Sequence, residues 1–472
     1  MEKRLWTDAA WTGGMTLLLF AALWLGPAGS LGHLSGPGDK AGICLYLCAV
    51  YALTVAFFAR RQRPDRKTLC LAGVVLGLSV LARAAMLDFA SADYDSFLCK
   101  WVQYFRETGV RALAENVGDY NLLYQYALLL ISRLPVYDLY AIKLLSVAFD
   151  YALALVMMLA AESAAGKRAA LPVVFIVPLL PSVLLDGSCW GQCDTVYAFA
   201  VILSLYELQE GRPWRSAAAL AFAFAFKLQT IFFFPVVLMG LLDGRFKPKH
   251  ALAFFAAYLI TMIPALLAGR GFADALSVYA GQSMGQYYHR LTYNAPNLYV
   301  FFPMLEFASS QEYTWMRFIR GIEWDGTNAY LTEDLFPTLQ QAALIAAALL
   351  TLAAVAYWLV HRKELRPGMT LNLALFFAIF LPFVLPKIHD RYFFLADMLS
   401  LLYAAEREDR RFMPVLVIGA SLGSYMTFLT RQRPVDERVL ALMMLCALVI
   451  TARDLLQGMR ENRSLRAEGG TV

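Results

Sequence analysis

Charged residues are scarce in this chain. They account for 16% of its 472 residues, whereas soluble domains contain about 25%. The hydrophobic share is 60%, and the apolar residues come in runs of roughly 15 to 25, which is the length of a membrane span. This composition excludes an ordinary soluble fold, and the sequence predicts a polytopic membrane protein.

The apolar runs also lack the alternation of about ten residues that is typical of outer-membrane strands. Because backbone polar groups in a bilayer must be satisfied internally, the spans are predicted to be helices and the fold class to be all-α. We predict about 14 transmembrane helices in one bundle. They cover residues 10–28, 41–59, 68–87, 137–163, 169–186, 194–209, 214–229, 231–243, 250–268, 337–360, 370–386, 393–405, 412–429 and 439–456.

The first apolar run follows Lys3 and Arg4 and ends in GPAGS, which resembles a signal peptide. Many spans follow it, and so we interpret it as a retained helix. The net charge of +5 does not indicate a nucleic-acid partner, because the basic residues lie in short loops, where they set topology. No separate soluble domain or internal repeat is evident, and residues 1–472 are interpreted as a single membrane domain.

Basic residues predict the orientation of the bundle in the plasma membrane. With the N-terminus inside, the cytoplasmic loops contain Arg60, Arg61, Arg63, Arg66, Lys67, Lys167, Arg168, Arg245, Lys247, Lys249, Arg362, Lys363 and Arg366. Two long loops, 88–136 and 270–336, then face the extracytoplasmic side, provided that residues 121–135 do not cross the bilayer. An outward basic cluster is the exception to the rule; it comprises Arg431, Arg433 and Arg438.

The seven cysteines lie mostly within apolar runs and do not suggest a disulfide framework. Cys189 and Cys193 are different, because they flank Trp190, Gly191 and Gln192 near the end of a span. A disulfide or metal pair is one interpretation. Two buried thiols are the other.

The first outward loop interrupts the apolar sequence with carboxylates and aromatic residues. Phe97, Trp101 and Phe105, with Leu98 and Val102, recur at helical spacing, which predicts an amphipathic helix at the membrane surface. Asp93 and Asp95 lie just before this helix. Asp95 fits an N-cap or a chemical role. Asp93 lies too far before the predicted start of the helix for a simple cap, and we interpret it as a residue with a chemical role.

Further polar residues are predicted on the same outer side. They are Asp186, Asp194, Lys227, Gln229, the segment from Tyr287 to Asn297, Lys387, His389, Asp390, Arg391 and Tyr392. An ionisable side chain within a span costs about 2.5 to 3.5 kcal/mol on insertion scales, so such residues are often functional. Lys227 has an alternative role as the partner of a structural ion pair with Asp194. His389 has an alternative role as a core histidine bonded to a carbonyl.

One carboxylate that accepts a proton, together with several cations that hold an anion, suits transfer from a lipid phosphate. The carboxylate would act as general base on an acceptor hydroxyl, while lysine, histidine and arginine would stabilise the departing phosphate. The chain has no P-loop or HExxH motif. Their absence argues against nucleotide hydrolysis and zincin chemistry.

Six motifs in order resemble the GT-C superfamily of integral-membrane glycosyltransferases, and most closely its bacterial relatives of the GPI-anchor mannosyltransferases. The motifs are DYDSFLCKW, GDYN, WGQCD, FKLQTIFFFP, LTYNAPNLY and KIHDRYFFLADMLS, between residues 70 and 405. The resemblance implies a polyprenyl-phosphate sugar donor, inversion at the anomeric carbon, Asp93 as base and Asp95 as a helper. It implies that Lys227, His389 and Arg391 bind the donor phosphate. The implied substrate-binding residues are Asp194, Gln192, Trp101, Tyr120, Asn294 and Asn297.

One motif departs from the family. Where relatives commonly have a Tyr-Asn-Pro-Pro or Asp-Tyr-Pro-Pro turn, this chain has Asp119, Tyr120, Asn121, Leu122 and Leu123. The geometry of this turn and the role of Asp119 therefore stay open.

The sequence thus predicts a glycosyltransferase that moves a hexose, of mannose or glucose type, to a glycan, lipid or polymer acceptor of the cell envelope. Its active site is expected to face the extracytoplasmic side. The alternatives are a transporter or flippase of lipid-linked saccharides and an envelope polysaccharide polymerase or ligase. A divalent cation also stays open, because Asp93, Asp95, Asp186 and Asp194 have no diagnostic spacing.

Overall fold

The computed structural model describes residues 2–34, 36–242, 244–284, 291–301, 322–324, 329–331 and 335–467. Within the second predicted outward loop, Tyr287 and residues 302–321 lie outside the described residues. The chain is almost entirely helical, which confirms the predicted all-α polytopic membrane fold.

Eighteen α-helices follow one another in the described ranges. They are α1 (Glu2–Leu25), α2 (Pro37–Gln62), α3 (Arg66–Ala85), α4 (Cys99–Thr108), α5 (Leu122–Ile131), α6 (Asp138–Ala165), α7 (Lys167–Ile176), α8 (Pro181–Val183), α9 (Asp194–Gln209), α10 (Pro213–Phe226), α11 (Phe234–Leu242), α12 (Pro248–Leu267), α13 (Phe272–Met284), α14 (Leu335–Val360), α15 (Thr370–Val384), α16 (Phe394–Glu406), α17 (Met413–Thr430) and α18 (Glu437–Ala467). A helix lies at each of the fourteen predicted positions.

Eight helices within the described ranges are long and apolar enough to cross a membrane. A ninth candidate is a broken span, in which Lys167–Leu179 and Pro181–Trp190 meet at a bend of 43°. Pro181 lies at the start of the second half. A proline is tolerated there because the N–H group that it lacks would have no partner within the first turn of the helix. The ten residues of α5 extend only about 15 Å, half the thickness of the hydrocarbon core, so this helix is too short to cross.

Four short strands complete the described secondary structure. They are β1 (Thr292–Tyr293), β2 (Ile322–Trp324), β3 (Ala329–Leu331) and β4 (Ile388–His389). β1 pairs with β4 in parallel, and β2 pairs with β3 in antiparallel orientation.

The chain divides into two compact units. Unit 1 comprises Met1–Thr230 and Lys249–Gln282, and unit 2 comprises Ile231–Pro248 and Ser283–Val472. In unit 1, α6 packs against α7 and α9, and α9 packs against α10. A further cluster of buried apolar side chains joins α5, α10, α12 and α13. In unit 2, neighbouring helices from α15 to α18 pack in sequence, and α15 also packs against α18.

The basic cluster between α17 and α18, which the sequence places on the outer side, lies beside acidic residues. Arg438 forms an ion pair with Asp436 at 2.6 Å, and Arg433 lies 3.5 Å from the carboxylate of Glu437. Hydrogen bonding to Arg438 lowers the pKa of Asp436 to about 2. These pairs lower the net charge of the loop, but the positive-inside rule counts lysine and arginine and not net charge, so the cluster stays an exception to the predicted orientation.

Candidate active site

Ser91 fixes the start of the helical segment that carries Asp93. Its buried hydroxyl accepts a hydrogen bond from the backbone N–H of Tyr94 at 3.2 Å and donates one to the carbonyl of Trp190 at 2.7 Å. Ser91 therefore caps the first turn. Asp95 is exposed and makes no capping hydrogen bond, so the interpretation of Asp95 as the N-cap is wrong.

Lys143 holds the chain that leads into this turn. It projects from α6, is fully buried, and donates to the carbonyls of Met86, Leu87 and Phe89 at 2.8, 3.0 and 2.6 Å. These carbonyls follow the last turn of α3, where backbone acceptors have no partner within the helix. One ammonium group thereby satisfies three of them and fixes the path towards Asp93.

Asp93 is oriented by two side-chain donors. The indole Nε1 of Trp190 and the amide Nε2 of Gln192 donate to its Oδ2 at 2.8 and 2.7 Å. Asp93 is half-buried and immediately precedes a π-helical turn, Tyr94–Leu98. A second π-helical turn, Leu184–Trp190, ends at the indole that binds it. Such turns often occur at functional sites.

Gln192 connects Asp93 to Tyr120. The Tyr120 hydroxyl donates to Gln192 Oε1 at 2.8 Å. The ammonium of Lys227 lies 5.3 Å from the centre of the Tyr120 ring and 5.9 Å from that of Tyr197, within the range of cation–π attraction. Together with Asp194, described next, these residues form the Asp93 cluster: Asp93, Tyr120, Trp190, Gln192, Asp194 and Lys227.

Lys227 and Asp194 form a buried ion pair. Lys227 Nζ lies 2.6 Å from Asp194 Oδ1, and the two side chains are 2% and 0% exposed. Lys227 terminates α10 in an extended conformation, and Asp194 opens α9. The backbone N–H of Asp194 donates to the buried carboxylate of Asp186 at 3.3 Å. The structure therefore has the ion pair that was the alternative role for Lys227.

Trp101 packs against the Asp93 cluster from α4. Its ring meets that of Tyr120 edge-on, with the centroids 6.1 Å apart. The apolar helix face predicted from the sequence is present, since Leu98, Val102 and Phe105 are buried, while Phe97 of the same face is exposed. Gly118 lies under the Trp101 ring with φ of +79°, and a Cβ atom there would approach the ring to 2.6 Å.

Replacing Gly118 by alanine is expected to lower the free energy of unfolding by about 1–3 kcal/mol, through backbone strain and displacement of Trp101. Thermal unfolding of the purified variant measures this loss. Gly211→Ala is the matched control, because Gly211 has φ of +71° with no atom within 4 Å of the added methyl group. Equal losses of unfolding free energy in the two variants would mean that the contact with Trp101 contributes nothing to the cost of the Gly118 substitution.

The turn from Asp119 to Asn121 has a defined geometry despite its departure from the family pattern. Asn121 caps α5 by accepting from the N–H of Leu122 at 2.7 Å, and it donates to the Tyr258 hydroxyl at 3.2 Å. Gln125, buried in α5, donates to the Tyr120 carbonyl at 2.9 Å. Burial raises the pKa of Asp119 above its ordinary value.

The carboxylates do not assemble a metal-ligand group in the part of the chain that the structure describes. No set of three or more histidine, cysteine, aspartate or glutamate side chains there is arranged to hold a metal ion. Cys189 is half-buried and Cys193 is buried, and the two form no disulfide with each other. The disulfide interpretation of this pair is therefore wrong.

In unit 2, two segments meet at His389. The parallel pairing of β1 with β4 places Tyr293 opposite His389, and their rings stack at 4.5 Å with an interplanar angle of 13°. The backbone of Lys387 has φ of +60° and donates to the Leu291 carbonyl at 2.7 Å. A non-glycine residue with positive φ is strained, and such strain is concentrated at functional sites. Burial lowers the pKa of Lys387.

The other predicted residues of unit 2 surround this pairing. Asn294 also has positive φ, at +55°, and its carbonyl accepts from the Ser424 hydroxyl. Asn297 is fully buried, and its side-chain oxygen accepts from the Tyr299 N–H at 3.1 Å. The carboxylate of Asp390 accepts from the Arg391 N–H at 3.0 Å. The side chain of Asn297 is thus bound to the backbone. Arg391 is half-buried.

The described structure brings six of the predicted site residues together in unit 1: Asp93, Trp101, Tyr120, Gln192, Asp194 and Lys227. It leaves Asp95 exposed and apart from their hydrogen bonds. Asn294, Asn297, His389 and Arg391 lie in unit 2. Sequence reasoning missed Ser91, Lys143, Trp190 and Gln125. A serine before an amphipathic helix is a standard cap signal, and Lys143 and Gln125 are lone polar residues in apolar helices.

A family model for glycosyltransferase family 87 matches residues 120–386, more than half of the 472-residue chain. The matched stretch begins at Tyr120 and includes Gln192, Asp194, Lys227, Asn294 and Asn297. It ends before His389 and does not include Asp93. No curated protein matches the chain.

Proposed function

The chain belongs to glycosyltransferase family 87, and from this premise we propose that it transfers a hexose, of mannose or glucose type, from a polyprenyl-phosphate donor to a cell-envelope acceptor. The proposed site faces the extracytoplasmic side of the plasma membrane. The observation that carries the proposal is the Asp93 carboxylate, which Trp190 and Gln192 hold in one orientation beside Tyr120.

In the proposed reaction Asp93 takes the proton of an acceptor hydroxyl. The hydroxyl oxygen attacks the anomeric carbon from the face opposite the phosphate, and the bond from that carbon to the phosphate oxygen breaks. Polyprenyl phosphate leaves with the electron pair, and the anomeric configuration inverts. A carboxylate in a fixed orientation favours this step, because general-base catalysis requires the acceptor oxygen to lie within hydrogen-bond reach.

The departing phosphate requires positive charge. We assign this role to His389 and Arg391, which are half-buried. The backbone of the same segment is strained at Lys387, and such strain is concentrated at functional sites. Lys227 contributes less free charge, because Asp194 already compensates it. The proposed role of Lys227 is therefore to position the ring of Tyr120 and to keep a positive charge near it. A direct contact with the phosphate is a second proposed role. Asp95 stays a proposed helper of Asp93.

The proposed architecture is of the GT-C type, with residues 88–136 as its catalytic loop. The ordered motifs between residues 70 and 405 support this proposal, as does the short helix α5, which leaves the loop on one side of the membrane. Acceptor contacts are proposed for Trp101, Tyr120 and Gln192, and further substrate contacts for Asp194, Asn294 and Asn297.

Replacing His389 by glutamine is expected to raise the KM for the polyprenyl-phosphate donor by about tenfold, because one charge-assisted bond to phosphate is worth roughly 1.5–3 kcal/mol. The acceptor KM should stay within about twofold of wild type. Initial rates at varied donor concentration measure the effect. His361→Gln is the control, since His361 follows α14 and bonds to the carbonyl of Tyr357. A rise confined to the acceptor KM would contradict the phosphate role.

The function itself is tested with purified protein, a radiolabelled polyprenyl-phosphate hexose and an envelope extract as acceptor. Transfer with release of polyprenyl monophosphate supports the proposal, and the anomeric configuration of the product reports inversion. A parallel assay offers a polyprenyl-pyrophosphate saccharide as donor, and its use with release of polyprenyl pyrophosphate would instead support a polymerase or ligase. Movement of the intact donor across proteoliposomes without cleavage would support a flippase.

A further inference from the structure

A cavity of about 420 Å³ lies within unit 1, apart from the Asp93 cluster. Its walls are residues 114–116, which end the helical part of the first outward loop, and residues of the first turns of α13. Pockets that hold small ligands typically measure roughly 300–1,000 Å³. The cavity is therefore large enough for one or two sugar rings.

Arg270 forms the base of this cavity and is 4% exposed. It donates to the Glu115 carbonyl at 3.2 Å, to Gln125 Oε1 at 3.2 Å and to Asn116 Oδ1 at 3.0 Å. Its Nε is buried and has no hydrogen-bond partner among the described residues. Two of the acceptors that Arg270 binds belong to Glu115 and Asn116, which also line the cavity, so the guanidinium holds this wall in place.

The rim of the cavity is polar and acidic. Glu115, Asp274 and Ser277 are exposed there, and Glu115 is held by the Tyr104 hydroxyl at 3.0 Å. Two carboxylates against one guanidinium give the cavity a net negative charge, which disfavours phosphates and other anions. Carboxylate, amide and hydroxyl groups around a space of this size suit the many hydroxyl groups of a neutral sugar.

The cavity is connected to Asp93 by hydrogen bonds. Arg270 binds Gln125, Gln125 binds the Tyr120 carbonyl, and the Tyr120 hydroxyl binds Gln192, which donates to Asp93. Each link lies between 2.7 and 3.2 Å. The cavity wall and the Asp93 carboxylate thus belong to one continuous set of hydrogen-bonded residues.

We propose that this cavity is an acceptor subsite that binds a neutral sugar residue of the acceptor glycan. The inference rests on the proposed function, because only an acceptor needs a sugar subsite joined to the base that deprotonates it. It narrows the acceptor class to a molecule that already carries a neutral sugar, rather than a bare lipid or a phosphate polymer.

The test is ligand-observed NMR with the full-length protein in detergent. The probes are methyl α-D-mannopyranoside and methyl β-D-glucopyranoside, with inorganic phosphate as competitor. We expect saturation transfer from the protein to at least one glycoside. Ser277→Trp, which fills the cavity, should abolish it, and Asp274→Asn should weaken it. Leu276→Trp is the control, because Leu276 is exposed on the same helix but does not line the cavity.

Two outcomes would overturn the inference. One is an unchanged signal in Ser277→Trp or no signal from either glycoside in wild type. The other is displacement of the glycosides by phosphate, which would make Arg270 an anion site. In transfer assays we expect Ser277→Trp to raise the acceptor KM by at least about tenfold, with the donor KM unchanged. Absence of transfer by wild type would refute the proposed function, while the NMR result would still decide the cavity.

Discussion

Replacing Asp93 by asparagine is expected to reduce kcat for sugar transfer by about 10²- to 10⁴-fold, the usual contribution of a positioned general base. The amide oxygen of asparagine can still accept from Trp190 and Gln192, so the hydrogen bonds at this position are retained. The amide cannot take a proton from an acceptor hydroxyl. The expected result is a folded protein with near-normal donor binding and very slow transfer, measured by single-turnover kinetics.

Two neighbouring substitutions separate this effect from a general disturbance of the loop. Glu107→Gln removes a carboxylate on α4 that only accepts from Gln103, and wild-type transfer is expected. Asp95→Asn tests the proposed helper, and a loss below about tenfold is expected because Asp95 is exposed. Wild-type kcat in well-folded Asp93→Asn protein would disprove the base assignment.

The second large effect is expected from Lys227→Met, which leaves Asp194 as a buried carboxylate without its cation. Breaking a buried ion pair from one side typically costs about 3–5 kcal/mol. The pair is 2.6 Å long and almost completely excluded from solvent, so the full cost applies here. The thermal unfolding midpoint should fall sharply, and the double variant Lys227→Met with Asp194→Leu should recover much of it.

The comparison distinguishes a structural role from phosphate binding. If the double variant regains both stability and transfer, Lys227 serves the fold alone. If it regains stability but its donor KM stays high, Lys227 also contributes charge to the phosphate. Lys100→Met is the matched control, since Lys100 is exposed on α4. Unchanged stability in the single variant Lys227→Met would contradict the ion-pair assignment.

The sequence was sufficient for the helices because each depends mainly on a local apolar run. All fourteen predicted positions contain a helix, but α18 runs to Ala467, well past the predicted end at residue 456. Only eight helices in the described ranges, or nine with the bent pair, are long and apolar enough to span a membrane. The break between α7 and α8 was not predicted, because a proline between apolar residues is also compatible with a continuous span. The bend depends on how the two halves pack, which a run of apolar letters does not encode.

The candidate site was predictable only where a residue type stands out from its surroundings in the sequence. Four polar residues stand out beside or within apolar segments and lie together in unit 1: Asp93, Gln192, Asp194 and Lys227. Trp190 is not conspicuous, because tryptophan is common at membrane interfaces, and the cap signal at Ser91 does not reveal its bond to Trp190. Their roles come from contacts between residues almost a hundred positions apart, which spacing along the chain does not reveal.

The 43° bend in the broken span has a mechanical consequence. Its second half ends at Trp190, which donates to Asp93 and accepts from Ser91. The direction of this second half therefore sets where the indole N–H of Trp190 points, and any change in the bend moves one of the two donors that hold the Asp93 carboxylate.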